Sequence, residues 1–340
     1  MTRMGSTIKR PWRPLATPAR KLAALAAITA AIPAAFAGAV PDRVYVSVEK
    51  DHKLQVFNTR GDRVGDIAVC QRPRHMMFLP GHDQIIVSCG DSDQLGIVDV
   101  AAGKLVGTVP VGESPEIFDL SPDGKTAYVS IEDDNVLAAY DIASKKPLFQ
   151  VPTGKEPEGV HVTPDGKFAY VTSEAADAVH FIDLAQQKVV KTIKTGKRPR
   201  RLALLPAANE LWVTNELEAS IAVIDTHTQE VRHKIALPVE GVPASDVTPV
   251  GMAVSPDGAS VWVGLGRANR VARINAADKT MAQQVPVGRR AWGLAMHPDG
   301  RTLYVANGLS DELTLIDTAA AKALRTVSTG RTPSGVLVQP

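Results

Sequence analysis

The sequence predicts an all-β fold, a seven-bladed β-propeller of four-stranded antiparallel blades, closed by the C-terminal strand joining the N-terminal blade. Three observations predict it. A short run of the type Tyr-Val-Ser occurs seven times, at Tyr45-Val46-Ser47, Ile86-Val87-Ser88, Tyr128-Val129-Ser130, Tyr170-Val171-Thr172, Trp212-Val213-Thr214, Trp262-Val263-Gly264 and Tyr304-Val305-Ala306. Successive copies lie 41 or 42 residues apart, except for one step of 50, a period that accommodates four short strands. The chain ends are complementary: the first copy, from Arg43, lacks the run that precedes the others, and residues Pro333 to Gln339 supply it. Pairing the last strand with the first blade leaves no sheet edge open along the ring.

Within a unit the elements follow in a fixed order. A Gly-x-x-Pro segment (Gly112 to Pro115, Gly154 to Pro157, Gly196 to Pro199) leads into an apolar run, which ends in a Pro-Asp-Gly turn such as Pro122-Asp123-Gly124 or Pro164-Asp165-Gly166. Proline presets φ and glycine accepts φ > 0, so a tight hairpin is expected there. The Tyr-Val-Ser run returns as the second strand. A polar loop follows, then a third run ending in Asn58, Asp99, Asp141, Asp183, Asp225, Asn275 or Asp317. An Asx side chain at that place can hydrogen-bond the backbone of the turn into the fourth run, such as Leu148 to Val151. The innermost strands supply two core positions of like facing: Met76, Phe118, Val160, Leu202, Met252, Leu294 and Val336, and two residues on Phe78, Leu120, Val162, Leu204, Val254, Met296 and Val338.

Residues 1–37 carry six basic and no acidic residues, then an apolar run from Leu22 to Ile28, and end in Ala35-Phe36-Ala37. This is the pattern of a secretory signal peptide cleaved after Ala37, with Ala39 as an alternative site, leaving residues 38–340 as the propeller. A periplasmic location is expected, with no membrane span after cleavage. Of 38 basic residues, 32 remain against 36 acidic ones, a mature charge of −4. The basic character belongs to the leader, and nucleic-acid binding loses its compositional support. Aligned by repeat, Cys70 takes the place of the glycine in Gly-x-x-Pro, and Cys89 follows the Tyr-Val-Ser position of the same blade. Both fall near one rim, and in an oxidising compartment a Cys70–Cys89 disulfide is expected.

Function has to sit where the repeat is broken. The residue after the Gly-x-x-Pro proline reads Arg74, Glu116, Glu158, Arg200, Val250, Trp292 and Ser334, and the next reads His75, Ile117, Gly159, Arg201, Gly251, Gly293 and Gly335. These positions begin the innermost strands, around one mouth of the axial channel. Arg74, His75, Glu116, Glu158, Arg200, Arg201 and Trp292 therefore form a candidate ligand site for a polar, anionic or aromatic molecule. Further basic residues (Lys197, Arg198, Arg289, Arg290, Arg331) and acids in the loops after the second strands (Glu132, Glu174, Asp177, Glu216, Glu218, Asp311) lie on the same rim, where pairing among themselves is the simpler reading. The long step in the repeat places an insertion, 237–248, beside this mouth.

The repeated Tyr-Val-Ser/Thr run, the Asn after Val213-Thr214, and the Ser-Pro-Asp-Gly turns resemble the YVTN family of β-propellers over about residues 43–340. Within that family the chain is most similar to the secreted propellers associated with PQQ-dependent alcohol catabolism. That resemblance implies a physiological setting and a partner such as a periplasmic quinoprotein dehydrogenase, with no established activity. The chain has no Gly-x-Ser-x-Gly, no His-Glu-x-x-His and no Cys-x-x-Cys-His, which excludes covalent c-type haem. His75 and His161 are the histidines placed on innermost strands, and a contact between His161 and Asp119 is expected from their shared repeat position. No metal or cofactor is expected. The leading expectation is a monomeric binding or scaffold propeller without catalysis. The alternatives are a lactonase-like hydrolase and a redox-cofactor propeller holding haem or a quinone, although PQQ dehydrogenases typically have eight blades and a pair of adjacent cysteines.

Overall fold

A computed structural model of the protein describes residues 42–340, and the leader and cleavage site read from residues 1–37 lie outside them. The described chain forms seven four-stranded antiparallel sheets. Blade 1 is built from the last strand, Pro333–Val338, against Arg43–Val48, Lys53–Asn58 and Arg63–Ala68, so the chain ends close the ring as the repeat predicts. The innermost strands of blades 2 to 7 are Pro73–Phe78, Pro115–Leu120, Pro157–Val162, Pro199–Leu205, Pro249–Val254 and Ala291–Met296. Among the described residues the helical pieces are single 3-10 turns, and none is long and apolar enough to cross a membrane.

The sequence signals act locally as their chemistry requires. Gly124, Gly166, Gly258 and Gly300 in the Pro-Asp-Gly turns all take φ near +70°, and the turn aspartate accepts the backbone N–H two residues on, as Asp123 does from Lys125 at 3.1 Å. The Asx residue closing each third strand caps the next turn: Asp141 accepts from the Ser144 N–H at 2.6 Å and Asp183 from Gln186 at 2.8 Å. Apolar side chains of the innermost strands pack between blades. Met76 and Phe78 join Tyr45 of blade 1, while Phe118 and Leu120 join Ile86 and Leu95 of blade 2.

Each innermost strand also carries a bulge. Its register against the second strand slips between the first residue and the residue three on, as at Pro73/Met76, Pro115/Phe118 and Pro157/Val160. The two residues between are the candidate site positions, freed from the ladder and turned to the channel mouth. The hydroxyl of the Tyr-Val-Ser run replaces the missing ladder bonds. Thr172 accepts the Gly159 N–H at 2.7 Å and donates to the Arg200 carbonyl of the next blade at 2.9 Å. Ser47, Ser88, Ser130 and Thr214 repeat the pattern. This one hydroxyl fixes a bulge and joins two blades, which accounts for the motif. Thr172→Val, of like shape, should lower stability by about 2 kcal/mol by leaving a buried N–H and carbonyl unpaired. Urea unfolding checks this, and a change below about 0.5 kcal/mol would contradict it.

Candidate functional site

Three rings of side chains converge on the mouth. The outermost is the residue before each strand's first position: Arg72, Ser114, Glu156, Arg198, Thr248, Arg290 and Thr332, all at positive φ between 43° and 61°. A left-handed non-glycine residue is costly, and its recurrence in seven blades marks a designed turn. Side chains from the preceding blade hold it: Asp177 accepts the Arg198 N–H at 3.0 Å, Asn269 that of Arg290 at 2.9 Å, and Asp311 that of Thr332 at 2.8 Å. The other two rings are the bulge positions. Four of the seven second-bulge residues are glycine for a steric reason, since a Cβ on Gly159, Gly251, Gly293 or Gly335 would collide with a carbonyl of the next blade.

Arginines and glutamates from these rings and the adjoining loops interlock across blades. Glu116 takes Arg72 at 2.6 Å and also Arg74. Glu158 takes Arg201, with Arg200 at 3.3 Å. Glu174 binds Arg200, with Arg198 at 2.8 Å, and Glu216 lies 3.1 Å from Arg198. Arg74 also approaches Glu49 at 3.4 Å. The rim is not solvated at these positions: Arg74, Glu116, Glu158 and Arg200 are 9%, 1%, 3% and 5% exposed. The acids and arginines that the sequence places separately on one rim are thus largely each other's partners.

Above this network lies an outer vestibule of about 450 Å³, lined by six arginines and five glutamates. Arg267 and Arg290 face it with no carboxylate in ion-pair distance among the described residues. The Arg290 guanidinium lies 4.1 Å from the Trp292 ring centre, with that of Arg200 at 5.1 Å, a cation–π pairing that orients both. Below, an inner chamber of about 270 Å³ runs along the axis, and Arg74, Trp292 and Ser334 line both spaces. His75 and Arg201 point to this chamber, as do Asp119 and His161, whose Oδ2 and Nδ1 are 3.4 Å apart. Asp119 is also tied down by the N–H groups of Leu120 and Val162, both at 2.7 Å.

Burial and charge pull the carboxyls in opposite directions. Burial pushes Glu116 up to about 7 against the attraction of Arg74, and the neighbouring Glu158 charge adds to the rise. Glu174 is pushed up to about 7 in the same way, with Arg200 opposing. Burial acts on Glu158 too, but Arg200, Arg201 and Arg74 outweigh it and hold that carboxyl well below the usual range. Glu158 is therefore the fixed negative centre, while Glu116 and Glu174 take up protons as the pH falls from 8 towards 6. His75 is lowered to about 3, first by burial and then by Arg201, and His161 is lowered by burial against the pull of Asp119. Both imidazoles are neutral at pH 7.

Cys70 and Cys89 are joined in a disulfide, their Cα atoms 5.7 Å apart, at the rim of blade 2. The loop so held carries Arg72, two residues beyond Cys70. The insertion leaves the outermost strand of blade 5, Glu230–Ala236, and enters the innermost strand of blade 6. It buries Leu237, Val239 and Val247 and places Thr248 on the vestibule. Of the further basic residues, Arg290 and Arg198 reach the mouth, whereas Lys197 pairs with Asp177 at 2.6 Å and Arg331 with Asp51 at 2.7 Å. Arg72, Glu49 and Arg267 belong to the site and were not among the candidate site residues; the run Gly264 to Asn269, which holds Arg267, lacks the third glycine of a dinucleotide fingerprint and offers no other signal. Arg72 had a signal, since it directly precedes the proline of the second repeat. Among the described residues no group of three or more His, Cys, Asp or Glu is placed to hold a metal.

The family model for YNCE-like β-propellers matches residues 104–295. The chain belongs to the YNCE-like β-propeller family. Comparison with curated protein sequences gives no match. Among solved structures, this YNCE-like propeller is similar to Kuenenia stuttgartiensis hydrazine synthase, at 23% identity and TM-score 0.71 over 81% of this chain and 92% of the other. It is similar also to the dihydro-heme d1 dehydrogenase NirN in complex with DHE, at 14% identity and TM-score 0.66 over 87% and 74%. A third is a putative 6-phosphogluconolactonase from Bacteroides fragilis, at 14% identity and TM-score 0.74 over 88% and 98%. At such identities the likeness is one of fold, and function has to be argued from the mouth itself.

Proposed function

We propose that this YNCE-like propeller is an exported, periplasmic binding or scaffold protein without catalysis of its own, and that its mouth takes a small organic anion. The observation that carries the reading is Arg267 and Arg290 facing a vestibule of about 450 Å³ beside Trp292, with no carboxylate of the described residues within ion-pair distance of either. Guanidinium forks bind carboxylates in two-point geometry, and a partly enclosed site strengthens them. The carboxylates that a hydrolase would use as a base, Glu116 and Glu158, are each engaged by two guanidinium groups, which favours binding over proton abstraction. The leader pattern and the disulfide support export. The resemblance to propellers of PQQ-dependent alcohol catabolism supports an accessory role there, with a quinoprotein dehydrogenase as the protein partner.

A redox-cofactor carrier is the second reading. It is favoured by the indole of Trp292 beside cationic groups, a setting suited to a planar anionic ring, and by the ligand in the NirN neighbour. Native mass spectrometry with an absorption spectrum, on protein purified from an oxidising periplasm, tests both. Extra mass on wild type that is lost in Arg290→Gln is the expected result. Visible absorbance accompanying it would replace the first reading by the second, and added mass retained in Arg290→Gln would place the ligand elsewhere.

A further inference from the structure

The inner chamber differs in chemistry from the vestibule above it. Among its lining residues the apolar side chains left partly exposed include those of Leu202, Met252, Leu294 and Val336 on the innermost strands. Its polar groups carry little free charge. His75 and His161 are neutral, Asp119 is engaged by two backbone N–H groups and His161, and Arg201 is paired with Glu158. Water in such a space is poorly held, and an apolar group that displaces it gains free energy. Trp292 and Arg74 form the collar between the two spaces, so a molecule anchored at Arg290 is adjacent to the chamber opening.

We infer that the ligand is an amphipathic organic acid, its carboxylate between Arg267 and Arg290 and its apolar body reaching past Trp292 into the inner chamber. The inference rests on the reading of the mouth as an anion site and adds the second half of the ligand. The two binding elements sit in separate spaces with a shared wall, so each is lost independently. A purely inorganic anion uses the first alone. An uncharged alcohol or amide uses the second alone.

Calorimetric titration of the folded wild-type chain with propionate, hexanoate and hexanamide tests it. Each methylene buried is worth about a fourfold gain in affinity, so hexanoate should bind on the order of fifty-fold tighter than propionate. Hexanamide should bind at least about tenfold more weakly than hexanoate, through loss of the charge-assisted contacts. Val336→Phe, at a partly exposed lining position, narrows the chamber and should remove most of the chain-length gain between propionate and hexanoate. If that variant fails to fold by circular dichroism, the wild-type chain-length series alone decides. Hexanoate and propionate binding within threefold of one another would overturn the inference and leave the anion site standing. Heat from neither acid would overturn both.

Discussion

Glu158→Gln is expected to destabilise the protein by about 3–5 kcal/mol, the range for breaking a buried ion pair from one side. Glu158 is 3% exposed and sits among Arg200, Arg201 and Arg74, each from the bulge of an innermost strand. Those arginines come from blades 2 and 5, so the carboxylate offsets repulsion between groups that the ring forces together. Glutamine keeps the shape and one acceptor oxygen but removes the charge, leaving Arg201 without a carboxylate partner while Arg74 and Arg200 keep Glu116 and Glu174. The double variant Glu158→Gln/Arg201→Met should recover part of the loss by deleting the cation left unpaired, which a double-mutant cycle in urea would measure. A loss below about 1 kcal/mol would mean that vestibule water screens these charges and that the network is no structural element.

Removing the disulfide as Cys70→Ala/Cys89→Ala should cost about 3 kcal/mol, the chain-entropy value for a loop of this length. Its sequence separation is 19 residues, and both cysteines are buried, at 7% and 0% exposure, in the cluster shared by blades 1 and 2. The bridge links the turn before the innermost strand of blade 2 to the end of the second strand. The Arg72 side chain leaves that turn to reach Glu116 in blade 3. Thermal unfolding of wild type with and without reductant checks the value independently of the substitutions. If the midpoint moves by less than a degree or so under full reduction, the bridge has no part in holding that turn.

The architecture was legible because each of its determinants is local and repeated. The Pro-Asp-Gly turns, in four copies, and the Asx residues ending the third strands and the alternating core positions, in seven, all act within a few residues of themselves, and their repetition leaves little freedom of register. The ring of Arg74, Glu116, Glu158, Arg200 and Trp292 was legible for the same reason, as a position where the repeat stops constraining side chains. What escaped was the partnership. Whether Glu116 meets Arg72 or Arg74, and whether Arg290 stacks on Trp292, depends on the bulge and on the left-handed residue before it. Neither leaves a distinctive residue type in the sequence, since arginine and threonine hold the left-handed place as readily here as serine and glutamate. The hydroxyl of the Tyr-Val-Ser run was visible as a motif, yet its two hydrogen bonds, to the bulge and to the next blade, need the closed ring to exist.

The most direct test of the account is the affinity of the mouth for a small anion of fixed charge. Sulfate remains doubly charged between pH 8 and pH 6, whereas Glu116 and Glu174, with carboxyls near 7, lose charge over that interval. The mouth therefore becomes more positive as the pH falls. At constant ionic strength, sulfate titrated into wild type should bind more tightly at pH 6 than at pH 8, and Arg290→Gln should weaken it by about tenfold or more. Equal affinity in wild type and Arg290→Gln, or binding that strengthens towards pH 8, would contradict an anion site at the arginine-lined mouth.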